Sequence, residues 1–285
     1  MKRYLVIGAD GQLGFDLMRT FGKKAVGLTH RDVDITDRQS VQNILEEHKP
    51  DVVINVAAIS NSERCEKEPD LCFSVNAIGA WNVAKAATTI GSSVVFISSD
   101  YVFDGSKKIF GEEDAPSPLN IYGVSKAAGE YLVKIANPKH YIVRSSWFFG
   151  KQISHKGHDF PRLMMKLAQE RSQVHVVNDQ FGSPTYTQDL AEKIQELIDG
   201  NAPYGVYHIT NQGSCSWYEF AKKIFETFHI EAELVPISTK ESTSTIQRPK
   251  YSILENTRLT QAGIGLMRPW EEAIEDYAKD LRLPS

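Results

Sequence analysis

Disulfide chemistry is nearly absent from this chain, which has only three cysteines, Cys65, Cys72 and Cys215, in 285 residues. Their number is odd, their spacing is wide and they follow no metal-ligand pattern. They read as reduced thiols of a cytosolic protein and exclude the stapled scaffold of a small secreted one. Long apolar runs are missing too. The N-terminal stretch Tyr4–Ile7 ends at a glycine, too short for the apolar region of a signal peptide or for a membrane span. No block of one charge stands out either: the net charge is −4 with both signs interspersed, which argues against a nucleic-acid footprint. These absences leave the expectation of a soluble, cytoplasmic protein whose partner is neither a nucleic acid nor a membrane.

The length suffices to bury a full α/β core with a smaller lobe attached, and nothing calls for a third domain. Short β-branched runs at Tyr4–Ile7, Ala25–Leu28, Val52–Val56, Val94–Ile97 and Tyr141–Val143 read as strands. Helical patterns lie between them near Leu13–Phe21, Ser40–His48, Leu71–Thr89 and Tyr122–Ala136. Such alternation predicts parallel βαβ units, with helices on both faces and ligands at the C-terminal ends of the strands. After Gly150 the pattern loosens. Lys151–Asp159 reads as a polar loop, then come a helix near Phe160–Gln169, a strand at Val174–Val177, a helix at Thr187–Ile198 and a strand at Val206–Ile209. Ser216–Phe228 carries an apolar stripe at Phe220, Ile224 and Phe228, and Trp270–Leu281 follows a proline suited to a first helical position.

Three features carry chemistry. Gly8, Gly11 and Gly14 follow the first strand and open the first helix. Glycine there permits a tight turn, close backbone approach to a pyrophosphate and a helix N-terminus aimed at the anion. Ser99 ends the apolar run Val94–Ile97 and supplies a hydroxyl at a strand's C-terminal end. Tyr122 and Lys126 stand four residues apart and so share one helix face. A phenol beside an ammonium is a device for acid catalysis, because the positive charge lowers the phenol's pKa; such a lysine costs little if it stays hydrated. Taken singly, Ser99 is a strand-end cap and Tyr122 an ordinary helix residue. The order of a glycine-rich turn, a strand-end serine and then the Tyr-Lys pair makes the signal specific.

That order resembles the extended branch of the short-chain dehydrogenase/reductase superfamily. Within it, Gly8–Gly14, Ser99-Asp100-Tyr101-Val102-Phe103-Asp104-Gly105 and Ser117–Gly123 are similar to the dTDP-4-dehydrorhamnose reductase family. So are Arg144-Ser145-Ser146-Trp147, Asp179–Thr185, Ser214–Phe220 and Arg248-Pro249-Lys250-Tyr251-Ser252. The resemblance implies a Rossmann-type doubly wound parallel sheet in residues 1–150. It implies a smaller C-terminal substrate-binding lobe in 151–285, with segments near 174–209 returning to the sheet. Its reaction would be NAD(P)H-dependent reduction of a dTDP-4-keto-6-deoxy-L-sugar to dTDP-L-rhamnose, a step of polysaccharide biosynthesis.

By the same resemblance Tyr122 is the acid, Lys126 lowers its pKa and bonds the nicotinamide ribose, and Ser99, where the family usually has threonine, holds the carbonyl oxygen. Gly8, Gly11, Gln12, Leu13 and Gly14 would hold the cofactor's phosphates. Asp34 and Ile35 would lie on the adenine side, and Ala57, Ala58 and Ile59 would allow close cofactor approach. His30 and Arg31 fall nearest the ribose 2′ position, where a basic group accepts a 2′-phosphate and favours NADPH; as a solvated surface charge, Arg31 would leave NADH equally served. Asp100, Tyr101 and Trp147 would line the sugar pocket and Arg248 would meet the diphosphate. His155 and His158 lack a third ligand and read as solvent-facing, so no metal site is expected from the residues. Relatives often form homodimers, some with magnesium at the contact, and this chain adds no independent sign of either. One departure is Ser62-Glu63, which stands where the family commonly has Val-Asp beside the nicotinamide and sugar. Two other readings stay open: a reductase of a different nucleotide-4-keto-sugar, and a non-catalytic regulator like the one that binds a methionine adenosyltransferase. Intact Ser99, Tyr122 and Lys126 count against the second.

Overall fold

A computed structural model describes residues 2–153, 157 and 159–282. Six strands form one sheet: β1 (Tyr4–Ile7), β2 (Ala25–Leu28), β3 (Val52–Asn55), β4 (Ser93–Ser99), β5 (His140–Ser145) and β6 (Gly205–His208). Their order is β2-β1-β3-β4-β5-β6 and every neighbouring pair is parallel. All of β1, β3 and β4 is buried, as expected of strands covered on both faces. The chain leaves β1 toward β2 and then returns to the other side of β1 for β3. Ligands of open parallel sheets bind at such a switch point, outside the carboxyl ends of the strands.

One face is covered by α1 (Gln12–Phe21), whose Leu13, Leu17 and Phe21 pack against the sheet. The other face is covered by α2 (Arg38–His48), together with a long helical path from Pro69 to Thr89. That path follows a short helix, α3 (Ser62–Lys67), and continues as α4 (Pro69–Phe73), a π-helical stretch Ser74–Gly79 and α5 (Ala80–Thr89). The helix read from the sequence over Leu71–Thr89 is therefore continuous but changes its hydrogen-bond pattern midway. Such π segments cluster at functional sites. The helix carrying the Tyr-Lys pair, α6 (Ile121–Ala136), packs on the same face through Val133 and Ala136.

In the second half, α7 spans Phe160–Glu170, α8 spans Thr187–Asp199 and α9 spans Trp217–Phe228. Of these, α8 packs Leu190, Ile194 and Leu197 onto the α1 face of the main sheet, next to which β6 is the edge strand. Gln173–Val177 pairs in parallel with Glu233–Ile237 and lies apart from the six-stranded sheet. A separate core joins this ribbon to α7, α9 and the last two helices' longer member; α10 is Thr257–Gln261 and α11 is Trp270–Arg282. It is built on Phe149, Phe220, Ile224, Ile274 and Tyr277. Among the described residues no helix is long and apolar enough to cross a membrane.

His208, fully buried at the end of β6, joins the main sheet to the C-terminal segment by a contact of Nδ1 with the Glu255 carbonyl at 3.1 Å. Burial, and then the neighbouring Arg144 charge, push its pKa from 6.5 down to about 3. An unfolded chain protonates this imidazole below about pH 6.5, whereas the folded one does not until about pH 3. The unfolded state then binds the extra proton, so stability is present at neutral pH and falls as pH drops through that window. The urea midpoint is expected to fall between pH 7 and pH 5, and to fall less in His208→Gln. Identical falls in both proteins would show that His208 is not the source.

Candidate active site

The glycine turn is as tight as its spacing suggests. Gly8 has φ +90°, in the region that favours glycine. A Cβ built on Gly14 would lie 2.1 Å from the Gly8 carbonyl oxygen and 2.8 Å from the Ala9 Cα. A Cβ on Gly8 would lie 2.9 Å from the Ala57 nitrogen, so the chain leaving β1 meets the chain leaving β3 backbone to backbone. Both Gly8 and Ala9 donate to the Leu28 carbonyl, at 2.8 and 3.0 Å, which brings the tip of β2 to the same place. At the start of α1, Gly11 supplies no side-chain cap and the first turn holds no acid. A helix N-terminus left this way suits an anion, and the turn fits a dinucleotide pyrophosphate.

The other predicted cofactor residues divide into groups that face this turn and groups that serve the fold. Arg31 is exposed just beyond β2, in a turn fixed by Thr29 and Asp32. Asp34 is exposed and accepts from the Thr36 nitrogen and hydroxyl at 2.9 and 2.8 Å, which lowers its pKa, while Ile35 is a core side chain. Leu13 is likewise core, and the Gln12 amide donates to Asp159 at 3.1 Å across to the second lobe. Ala58 is exposed and Ala57 half-buried. Ile59 is pinned through its backbone: its nitrogen donates to Asn76 Oδ1 at 2.8 Å and its carbonyl accepts from Asn76 Nδ2 at 3.0 Å.

At the end of β4, Ser99 Oγ donates to Asp100 Oδ1 at 3.0 Å and accepts from the Tyr101 nitrogen at 3.2 Å. Helix α6 reaches this turn because Gly123 has no side chain; a Cβ there would lie 2.1 Å from the Tyr101 carbonyl oxygen. Its N-terminus is capped by Asn120, whose side chain accepts from the Gly123 nitrogen, and by Glu66, which accepts from the Ile121 nitrogen. The result brings Tyr122 beside the Ser99 hydroxyl and into an edge-on contact with Tyr101, ring centres 5.8 Å apart. Burial pushes the pKa of the Tyr101 hydroxyl up to about 12, with the nearby Arg248 charge acting against the rise. Asp100 is buried and Oδ2 has no partner among the described residues; burial raises its pKa to about 6.

Two expectations are corrected here. Lys126 does not stay hydrated: it is 2% exposed, with its ammonium 4.1 Å from the centre of the Phe96 ring. Burial lowers its pKa to about 8, against the opposing charge of Glu130. Nor does the Tyr122 phenol sit below its ordinary value. Burial pushes it up, with the Ser99 hydroxyl acting the other way and the charge of Asp100 adding to the rise. The phenol keeps its proton throughout the neutral range.

Trp147 lies in the left-handed region at φ +49° and its ring stacks on Trp217, centres 3.4 Å apart and planes 7° apart. Gly182 leaves room for it; a Cβ there would sit 2.5 Å from the indole. Its environment is thus the aromatic rim of the second core, and Trp217 is a neighbour that strand-and-helix reading does not reveal. His155 and His158 lie outside the described residues. Among the described residues no group of three or more His, Cys, Asp or Glu is placed to hold a metal ion. Asn76 also escaped the sequence reading. It is fully buried in the π-helical stretch, and Nδ2 also donates to Ser125 Oγ at 3.0 Å, which in turn donates to the Tyr122 carbonyl at 2.7 Å.

The family described as RmlD substrate binding domain matches residues 1–283. The spore coat polysaccharide biosynthesis protein SpsK of Bacillus subtilis is 40% identical, covering 98% of each chain. A dTDP-4-dehydrorhamnose reductase of Mycolicibacterium smegmatis is 35% identical over 96% of this chain and 84% of its own. A dTDP-4-keto-6-deoxy-D-glucose reductase of Streptomyces niveus is 36% identical over 95% of both. Among solved structures, a dTDP-4-dehydrorhamnose reductase of Bacillus anthracis in complex with NADP superimposes with a TM-score of 0.92 at 42% identity, covering 97% of this chain and 98% of its own.

Asn76→Ala would strip the Ile59 nitrogen of its partner and take one partner each from the Ile59 carbonyl, which keeps Cys65 Sγ at 3.6 Å, and from Ser125 Oγ, which keeps Cys72 Sγ at 3.3 Å. Losing these bonds costs about 1–3 kcal/mol. The corresponding drop in the urea unfolding free energy is the expected result, and a loss below about 0.5 kcal/mol, the scale of an ordinary surface change, would show that Asn76 does not pin this loop.

Proposed function

The chain belongs to the dTDP-4-dehydrorhamnose reductase family, and we propose that it reduces the 4-keto group of dTDP-4-dehydro-6-deoxy-L-mannose with NADPH, giving dTDP-L-rhamnose. The observation that carries this reading is the meeting of the Ser99 hydroxyl and the Tyr122 phenol at the carboxyl end of β4, one helical turn from Lys126. When bound, the nicotinamide supplies a hydride to C4 of the sugar. The raised pKa of Tyr122 suits an acid that must hold its proton until an alkoxide develops beside it. Ser99 Oγ is placed to hold the carbonyl oxygen during that transfer. A charged Lys126 then stabilises the phenolate left behind and offers its ammonium to the ribose.

Cofactor holding falls to Gly8, Gly11, Gln12, Leu13 and Gly14 through the backbone of the turn, with Asp34, Ile35, Ala57, Ala58 and Ile59 shaping the walls. The exposed Arg31 is suited to a 2′-phosphate, and NADP in the Bacillus anthracis relative supports that choice. For the sugar nucleotide, Asp100 offers an unpartnered carboxylate oxygen and Tyr101 a buried hydroxyl near the Arg248 charge. Arg248 is a charged partner for the diphosphate. The Trp147 ring, backed by Trp217, offers a plate to the apolar face of a deoxysugar. A second reading, reduction of a related 4-keto-sugar nucleotide of other configuration, is favoured by the Streptomyces niveus relative, which matches as closely as the rhamnose-forming ones.

Tyr122→Phe is expected to keep cofactor affinity and lose roughly 2–4 orders of magnitude in turnover of the 4-keto-sugar nucleotide. Turnover within a few-fold of the unaltered protein would remove Tyr122 from the role of acid. Arg31→Ala is expected to raise the KM for NADPH roughly ten- to hundredfold, the scale of one charge-assisted hydrogen bond, and to leave that for NADH nearly unchanged. Equal effects on the two cofactors would mean that Arg31 is a surface charge.

A further inference from the structure

One turn beyond Lys126 on α6, Glu130 is 1% exposed and forms a buried ion pair with Arg144 of β5, itself 1% exposed. Glu130 Oε2 accepts from Arg144 Nη2 at 2.7 Å, and Oε1 accepts from Arg144 Nε at 2.8 Å and from Ser98 Oγ at 2.6 Å. Arg144 is fixed further by the Phe103 ring, 5.0 Å from its guanidinium carbon, and by His208 Nε2 at 3.4 Å. Ion pairs buried this completely are weak sources of stability, since well-packed apolar replacements of similar volume often do as well. Their place in the molecule is then the informative part. Ser98 directly precedes Ser99, and Glu130 follows Lys126 by four residues, so the pair lies beneath both groups assigned above to the reaction.

We propose that Glu130, clamped by Arg144 and Ser98, is a positioning residue for the reduction: it acts through Lys126, keeping that ammonium charged in a dry setting. The inference rests on the reading of Lys126 given above. The groups facing this ammonium are few. From α6 comes Glu130, from α4 Cys72 and from α3 Cys65, while β4 presents the Phe96 ring. Arg144 from β5 is held against Glu130. Among the charges that help Lys126 retain its proton against burial, that of Glu130 is the largest. Cys72, whose pKa is lowered to about 7 chiefly by its hydrogen bond with Cys65, adds a smaller share of that support than Glu130.

The test is the pH dependence of kcat at saturating NADPH and sugar nucleotide, with KM for NADPH measured alongside. Glu130→Gln keeps the shape of the side chain and removes its charge. The alkaline fall of kcat is expected about one pH unit lower than in the unaltered protein, the scale of losing a nearby opposite charge. At pH 8, near the point where Lys126 itself titrates, kcat is expected about fivefold lower, with the KM for NADPH within about twofold. The double variant Glu130→Leu with Arg144→Met removes both charges, so no unpaired charge stays buried and only neutral groups such as the Ser98 hydroxyl lose a partner; it tests the idea even where the single variant fails to fold. It is expected to move the alkaline fall in the same direction. A folded variant with an unmoved fall overturns the proposal. Lys126→Met separates the two levels of argument: near-normal turnover in that variant would overturn the reading of Lys126 itself. Loss of turnover there, beside an unmoved fall in the Glu130 variants, would overturn the Glu130 proposal alone.

Discussion

Backbone meeting backbone at the carboxyl ends of β1 and β3 is the constraint on which the rest of the site depends. A side chain at Gly14 would overlap the Gly8 carbonyl at 2.1 Å, and one at Gly8 would press on Ala57 at 2.9 Å. Only with both positions bare can α1 start against the sheet, its uncapped N-terminus directed at the crevice that the strand order opens there. The same device recurs at Gly123, where α6 closes on the Tyr101 carbonyl and so delivers Tyr122 to Ser99. Two close approaches, one at each side of the crevice, thus set where a dinucleotide and an acid can meet.

Between these approaches the protein places polar groups that are buried and bonded. Asn76 ties the Ile59 loop to α6 through Ser125, and Glu130 ties α6 to β4 and β5 through Ser98 and Arg144. Fully satisfied networks of this kind rigidify what they join, because any slip would leave a buried polar group unmet. The helix bearing Tyr122 and Lys126 is therefore fixed along its length, by backbone contact at one end and by charge and amide bonds further on. Burial also sets the chemistry. It keeps the Tyr122 proton in place and makes Lys126 dependent on its neighbours for its charge.

Much of this was legible in the amino-acid order, for definite reasons. β1, β3 and β4 are continuous apolar runs because both faces of the sheet are covered, and α6 announces itself by the helical pattern of Tyr122–Ala136. The glycine turn is legible because no other residue tolerates the approach. What failed to show was tertiary. The π-helical stretch inside Pro69–Thr89 has no local signature, since its altered bonds accompany contacts of Asn76 with residues far along the chain. The dryness of Lys126 depends on Phe96 beneath it, and a lysine's burial cannot be read from its own helix. Trp147 could be placed after a strand, but its stacking on Trp217, seventy residues away, arises only when the turn after β5 meets the start of α9. The pairing of Glu130 with Arg144 was hidden for the same reason.

The central claim is that the crevice carries a stereospecific reduction of a 4-keto-sugar nucleotide, with the new hydrogen at C4 drawn from the cofactor. Incubating the purified protein with cofactor deuterated at its nicotinamide C4 and dTDP-4-dehydro-6-deoxy-L-mannose, then recording the NMR spectrum of the product, addresses it most directly. Deuterium at C4 of dTDP-L-rhamnose, in one configuration and equal in amount to the cofactor consumed, is the expected result. Consumption without deuterium at C4, a product of the opposite C4 configuration, or binding of both ligands with no turnover would contradict it.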